Sequence, residues 1–269
     1  DVVLINTAAI LIDQNNYGVA ASRALQASYI FARALLSRTE KPLRLIVLSP
    51  TTAQHAALAA SLRGLYSTAA REFSHFSFKI IEVAIDTFKR GLVDNSLPGI
   101  IRNELSLWNP EENYVRFTPE GNRTVRYLKE FQPQETHHKK ITVSGHYLIT
   151  GGAGSLGFAF AQHLAQRGAE KITLVGRRDI DATINARLDE LTTLGIEARY
   201  IAVDLAESAA VHAMVASLLS EGPITGVIHS AGHINDGLIR NKPVDIFMQV
   251  IASKVAGTIN LVEALTENP

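Results

Sequence analysis

Cysteine is absent from the 269 residues, and methionine (2) and tryptophan (1) are scarce. Without cysteine there can be no disulfide, no thiol nucleophile and no thiolate metal site, and the absence fits a cytoplasmic setting. A surplus of one charge is also missing, since 26 Lys and Arg balance 26 Asp and Glu. Nothing in that balance points to nucleic acid or to an acidic membrane surface. No run of about eighteen apolar residues occurs, so no membrane span is expected. Asp1-Val2-Val3-Leu4-Ile5 has neither an initiator Met nor a basic stretch before its apolar residues. A signal peptide is therefore not expected, and the chain reads as a piece of something longer. The nine histidines show no metal-ligand spacing, so no metal is expected. His137-His138 lies in the polar stretch from Gln132 to Lys140 and reads as solvated linker.

What is present begins with apolar content of 46%, enough for a sizeable core. Strand-like and helix-like patterns alternate along the chain, which argues for parallel α/β layers. In the first half, residues 2–6, 43–48 and 78–85 read as strands. Residues 18–36 and 96–106 read as helices, and 53–70 as a helix interrupted near Gly64. Tyr114 to Phe117 and Thr124 to Leu128 flank Pro119-Glu120-Gly121-Asn122, a hairpin signal. The first half has no glycine-rich loop after any strand; its strand ends are Asn6-Thr7-Ala8 and Ser49-Pro50-Thr51. The seam between the halves is expected near residues 132–146.

The second half opens on Tyr147-Leu148-Ile149-Thr150-Gly151-Gly152-Ala153-Gly154-Ser155-Leu156-Gly157. A short strand is followed by glycines at three-residue spacing, and residues 158–167 read as a helix closed by Gly168. The glycines allow a tight turn and a close backbone approach, while the helix start points unpaired N–H groups at an anion such as a pyrophosphate. A second strand, Lys171 to Val175, ends in Gly176-Arg177-Arg178, about twenty residues on. A carboxylate there would suit the ribose hydroxyls of NAD; two guanidiniums suit a 2′-phosphate. Asp179 follows them and can pair with either arginine. A third strand, residues 198–203, ends in Asp204-Leu205, and a fourth, residues 226–229, ends in Ser230-Ala231-Gly232. Both ends fall where open α/β sheets bind cofactors. Asp204 is placed to hold an adenine amino group, and Ala231-Gly232 to let the backbone pass close to the cofactor.

With these motifs in view, the second half resembles the ketoreductase domain of modular polyketide synthases, a branch of the short-chain dehydrogenase/reductase superfamily. The resemblance is carried by Thr150 to Gly157, Gly176-Arg177-Arg178, Val203-Asp204-Leu205, Val227 to Gly232 and Lys254-Val255-Ala256-Gly257-Thr258. The first half is similar to that family's structural subdomain, through Gly64 to Glu72 and the hairpin from Glu112 to Leu128. The resemblance implies two Rossmann-like parallel-sheet subdomains. The first, residues 1–140, is shortened and binds no cofactor; the second, residues 141–269, binds NADPH and is incomplete at its C-terminus. It implies hydride transfer from NADPH to the β-keto group of a chain on an acyl carrier protein, among neighbouring synthase domains. The cofactor-binding candidates are Thr150, Gly151, Gly152, Gly154, Ser155, Leu156, Gly157, Arg177, Arg178, Asp204, Leu205, Ser230, Ala231 and Gly232.

The same resemblance implies catalytic residues. Lys254 matches the family's lysine, which lowers the pKa of a proton-donating Tyr and contacts the nicotinamide ribose; a lone helical Lys otherwise reads as a solvated surface residue. The Tyr and its partner Ser fall past Pro269 in this alignment, so the remainder is expected to be cut off, disordered or on another chain. Tyr147 and Tyr200 are poor substitutes, since both sit in predicted strands. Ile234-Asn235-Asp236 keeps the last Asp of a Leu-Asp-Asp signature that marks B-type stereochemistry, making Asp236 the stereocontrol candidate; a plain turn at Asn235-Asp236-Gly237 is the alternative. Two other readings stay open: a non-catalytic scaffold kept for contacts with synthase domains, and another short-chain reductase such as a sugar-nucleotide epimerase, although that class begins with the cofactor unit.

Overall fold

The computed structural model describes residues 2–6, 17–36, 41–84, 86, 96–125, 143–232 and 234–267. The chain divides into two compact units, Asp1–Gln132 with Asp236–Ile246, and Pro133–Asn235 with Phe247–Pro269. The expected strand end at Thr7-Ala8, the linker histidines and most of the seam lie outside the described residues.

The first unit runs β1 (Val2–Asn6), α1 (Tyr17–Leu36), β2 (Leu43–Pro50), α2 (Ala53–Glu72), β3 (Phe76–Val83), α3 (Ser96–Ser106), β4 (Tyr114–Phe117) and β5 (Arg123–Val125). The strands lie in chain order, β1-β2-β3-β4-β5, with β1 to β4 parallel and β5 antiparallel to β4. β2 and β3 are buried along nearly their whole length, as strands covered on both faces must be. The hairpin is as expected, with Gly121 at φ 85° in its turn; the expected continuation through Arg126-Tyr127-Leu128 lies outside the described residues. The interruption expected at Gly64 is absent. α2 passes through it unbroken, because Leu62 and Tyr66 on either side are both fully buried and their packing outweighs the weak helix propensity of glycine. Segment Asp236–Ile246 packs within this unit. The Tyr29 hydroxyl donates to the carbonyls of Lys242 (2.8 Å) and Ile239 (3.1 Å), and Glu72 Oε2 accepts from the Ile239 amide (2.8 Å).

This unit also buries charge. Lys79 in β3 is 0% exposed and donates to Glu104 Oε2 at 2.8 Å, while Glu104 also takes Arg123 Nε at 2.6 Å. Burial alone would raise the Glu104 carboxyl, but the hydrogen bonds and charges of Arg123 and Lys79 outweigh it and hold it below its ordinary value. Glu82, on the same strand, accepts the Tyr114 hydroxyl at 2.5 Å and Arg116 Nε at 2.7 Å. Each side chain ties β3 to β4, β5 or α3. Glu104→Gln leaves the buried Lys79 ammonium without its anion, and the expected cost is about 3–5 kcal/mol. A urea titration reads it as a lower midpoint at unchanged slope; an unmoved midpoint would show that Lys79 finds water.

The second unit runs β6 (His146–Thr150), α4 (Ser155–Gln166), β7 (Lys171–Gly176), α5 (Ala182–Thr193), β8 (Glu197–Ala202), α6 (Ser208–Glu221) and β9 (Ile224–His229). A helix then runs from α7 (Val244–Ile251) through a π-helical turn (Ala252–Ala256) into α8 (Gly257–Glu267). All four strands are parallel, in the order β8-β7-β6-β9. The chain walks outward through β7 and β8, then returns to the other side of β6. Alternation along the strands feeds two cores. Ile149, Ile172 and Leu174 pack with Phe158, Ala161, Ala165 and Leu191 of α4 and α5. Leu148 and Val175 pack on the other face with Val211, Met214, Leu218, Leu261 and Ala264 of α6 and α8.

The stretch Val244–Glu267 has 24 residues and a mean hydropathy of 1.2 over its most apolar window, long and apolar enough to cross a bilayer by those measures alone. It is not an unbroken run of about eighteen apolar residues, so the sequence expectation of no such run stands. It carries Asp245 and Lys254, and Asn260 on it is buried and donates to the Leu205 carbonyl at 2.7 Å. Leu261 and Ala264 belong to the core against α6, so its C-terminal half is a core helix of this unit.

Candidate functional site

The reversal of strand order between β6 and β9 makes a crevice at their carboxyl ends, the place where open parallel sheets take ligands. Gly151, directly after β6, has φ 65°, a conformation glycine adopts without a Cβ clash. A Cβ there would stand 2.7 Å from the Ser230 carbonyl oxygen and 2.8 Å from the Ala231 amide nitrogen. Gly157, in the first turn of α4, is equally tight. A Cβ on it would collide with the Gly151 carbonyl and meet the Ser230 hydroxyl at 2.7 Å. Gly154 caps α4 without any side-chain hydrogen bond, so the first-turn N–H groups of Ser155, Leu156 and Gly157 are not taken up by a capping side chain. Gly152 answers to packing, since a Cβ would meet Leu174 and the Ile149 carbonyl at 2.6 and 2.7 Å.

A cavity of about 290 Å³ opens over this crevice. Of the expected residues, Gly151, Gly154, Arg177, Arg178, Asp204, Leu205, Ser230, Ala231 and Gly232 line it. Thr150 stands behind it, fully buried, sharing a 2.6 Å hydrogen bond with His229 Nδ1. Burial lowers the His229 pKa and the Lys254 charge lowers it further, so the imidazole is neutral at neutral pH. Ser230 donates its hydroxyl to the Thr150 carbonyl at 2.6 Å, pinning the end of β9 to the end of β6. Asp204 Oδ1 accepts the Ala206 amide at 3.0 Å and the side chain stays exposed. Arg177 and Arg178 are exposed, and the carboxylate that Arg178 meets is Asp181, at 3.4 Å, rather than the neighbouring Asp179.

Lys254 does not line the cavity, though its neighbour Ser253 does. Its Nζ stands 3.2 Å from where a Gly232 Cβ would be, and it sits on the π-helical turn. Such turns widen a helix by one residue and re-aim a side chain. Asp236 lies in the segment that packs with the first unit, exposed. Tyr147 and Tyr200 are in β6 and β8, as expected.

Residues 145–269 match the family model described as the KR domain. Polyketide synthase PksL of Bacillus subtilis (strain 168) is 34% identical over 215 residues, which is 79% of this chain. Residues 145–269 belong to the KR domain family. Polyketide synthase GfsA of Streptomyces halstedii is 42% identical over 121 residues, 45% of the chain. The crystal structure of a ketoreductase domain from the bacillaene assembly line superposes with a TM-score of 0.77 at 25% identity, covering 97% of this chain and 65% of that one. The chain spans 5% of the length of PksL and 2% of GfsA. Its fold also matches, at TM-score 0.81 and 18% identity, a multidomain structure from a keto acid-selecting NRPS module.

Several residues around the cavity were not legible from motifs. Val175, Tyr200 and Ser253 line the cavity, and the alternation of β8 around Tyr200 was the only available hint for that residue; Gly176 and Val203 also line it, and stood in the sequence motifs without a role of their own. Arg187, on α5, donates to the Ala153 carbonyl in the glycine turn and lies over the Phe158 ring at 5.0 Å; nothing local in sequence links it to that turn. Gly257 has a reason as well. A Cβ there would press on Leu205 Cβ at 3.0 Å, so α8 approaches the Asp204-Leu205 loop closely only because residue 257 is glycine.

The glycines supply a paired test. Gly157→Ala places a methyl against backbone and is expected to cost about 1–3 kcal/mol and to weaken dinucleotide binding at least tenfold. Gly64→Ala, in α2, meets nothing within 4 Å and is expected to stabilise by up to about 1 kcal/mol. Thermal melts and a dinucleotide titration read both. Equal effects at the two positions would show that the turn has room to yield.

Proposed function

We propose that this ketoreductase domain reduces the β-keto group of an acyl chain on an acyl carrier protein to the hydroxyl, using NADPH, within a polyketide synthase in the cytoplasm. The observation that carries the reading is the presence of Arg177 and Arg178 on one cavity with Gly151, Ala153 and Gly154 of the glycine turn. The residues fit NADPH by their chemistry. The N–H groups at the start of α4 suit the pyrophosphate, and the glycines leave the room that its approach requires. Two guanidiniums suit the 2′-phosphate, with Asp204 and Leu205 toward the adenine and Ser230-Ala231-Gly232 along the remaining wall. When bound, NADPH supplies the hydride.

The chain's own residues assist the proton transfer. Lys254 brings a positive charge beside Gly232, where it would favour the tyrosinate of the proton donor that the family resemblance implies and would bond the nicotinamide ribose. Asp236, in Ile234-Asn235-Asp236, supports a B-type stereochemical outcome. No separate observation favours the scaffold reading: a scaffold has no need of an arginine pair on the cavity.

Cofactor choice tests the reading directly. A charge-assisted contact to a phosphate is worth roughly 1.5–3 kcal/mol, so NADPH is expected to bind about ten- to a hundredfold tighter than NADH. Arg177→Ala with Arg178→Ala should erase the difference. Equal dissociation constants in the unaltered protein would overturn the assignment.

Lys254→Ala in the native synthase polypeptide is expected to lower kcat by about a hundredfold or more, with little change in KM, because the charge acts mainly as the tyrosinate forms. Steady-state kinetics on a β-ketoacyl thioester measure this. A kcat within about threefold of the unaltered enzyme would leave Lys254 as a solvated helix residue.

A further inference from the structure

The two guanidiniums that favour a phosphate sit on an exposed turn, on long stems with much rotamer freedom to lose. Besides the Arg178–Asp181 ion pair, an uncharged side chain holds that turn. Tyr200 lies in the middle of β8, opposite Leu174 of β7. Its ring packs against the core under α4 and α5, and its hydroxyl reaches up to donate to the Arg178 carbonyl at 2.7 Å. The route passes directly over Gly176, where a Cβ would stand 2.7 Å from the Tyr200 hydroxyl oxygen. Glycine at 176 and tyrosine at 200 are therefore a matched pair, the first leaving the space that the second fills. Gly176 is held from the other side as well, its carbonyl accepting the Val203 amide at 2.8 Å. Gly176, Arg177, Arg178, Tyr200 and Val203 all line one cavity. Burial raises the phenol above its ordinary value, so the hydroxyl keeps the proton that it donates.

We propose that Tyr200 is a positioning residue for cofactor choice: its hydrogen bond to the Arg178 carbonyl, made possible by Gly176, presents the arginine pair to the 2′-phosphate. This rests on the reading of the cavity as an NADPH site. Neither residue touches the reacting atoms, and a cofactor lacking the 2′-phosphate gains nothing from the bond.

The experiment measures NADPH and NADH dissociation constants by fluorescence for four native-length polypeptides: unaltered, Tyr200→Phe, Gly176→Ala and the double variant. Amide exchange at residues 176–179 is followed without cofactor. Tyr200→Phe is expected to lower the NADPH-over-NADH preference about three- to tenfold, the size of one lost hydrogen bond, with the NADH constant within about twofold. Exchange at 178 and 179 should quicken. Gly176→Ala pushes the hydroxyl aside and should do the same, and the double variant should lose no more than either alone, because one bond is removed in all three. A preference unchanged in Tyr200→Phe, equal weakening toward both cofactors, or additive losses in the double variant would each overturn the inference. If the unaltered protein binds neither cofactor, or both equally, the NADPH reading fails and this inference with it; if NADPH is preferred and the preference survives Tyr200→Phe, this inference alone fails.

Discussion

Backbone runs against backbone where β6 and β9 end, and the second unit's site depends on that contact. Gly151 leaves β6 in a left-handed conformation with the Ser230 carbonyl and Ala231 amide where a side chain would be, and Gly157 brings the first turn of α4 onto the Gly151 carbonyl. Two hydrogen bonds, from the Ser230 hydroxyl to the Thr150 carbonyl and between Thr150 and His229, draw the strand ends together. Gly154, the N-cap of α4, lines the cavity beside Gly151. A side chain at either glycine would separate the strands before it touched any ligand.

The walls of the cavity are supported from outside it. Arg187 of α5 reaches back to the Ala153 carbonyl, Tyr200 of β8 crosses to the Arg178 carbonyl, and Asn260 of α8 holds the Leu205 carbonyl. All three satisfy carbonyls in loops that line the site, groups that would otherwise need water. The π-helical turn before α8 has the same character. It is closed by the Gly257 amide on the Ala252 carbonyl, and the Thr258 hydroxyl donates to the Lys254 carbonyl at 2.5 Å. The widened turn therefore leaves the Lys254 carbonyl satisfied while setting that side chain beside Gly232.

The first unit uses the same kind of strands to another end. Its strands follow chain order with no reversal among the described residues, so no switch-point crevice arises in that sheet. Side chains do the tying instead. Lys79, Glu82 and Glu104 are buried and each is matched by an opposite charge or hydroxyl. Removing one member of such a set exposes its partner to an apolar interior, which is why these charges hold geometry more than they add stability.

The α/β class, the strand-glycine-helix start of the second half, the arginine pair and the hairpin were all legible in sequence, because each depends on contacts within a few residues or on a strict period. Glycine at 151 is demanded by its own dihedral angle, and Pro119-Glu120-Gly121-Asn122 by its own turn. Boundaries shifted by a residue or two where hydrogen-bond pairing with a neighbour extended a strand, as at His146 and Gly176. Gly64 misled because propensity was read without the buried Leu62 and Tyr66 beside it. What only the tertiary structure decided was the meaning of residues whose partners are distant in sequence. Gly157 is required by a strand end 73 residues further on at Ser230, Gly176 by a tyrosine in the next strand, Gly257 by a loop after β8, and Asp236–Ile246 packs with the first unit. The local chain sets which conformations are open to it; which atom stands where a side chain would go is set by the sheet order.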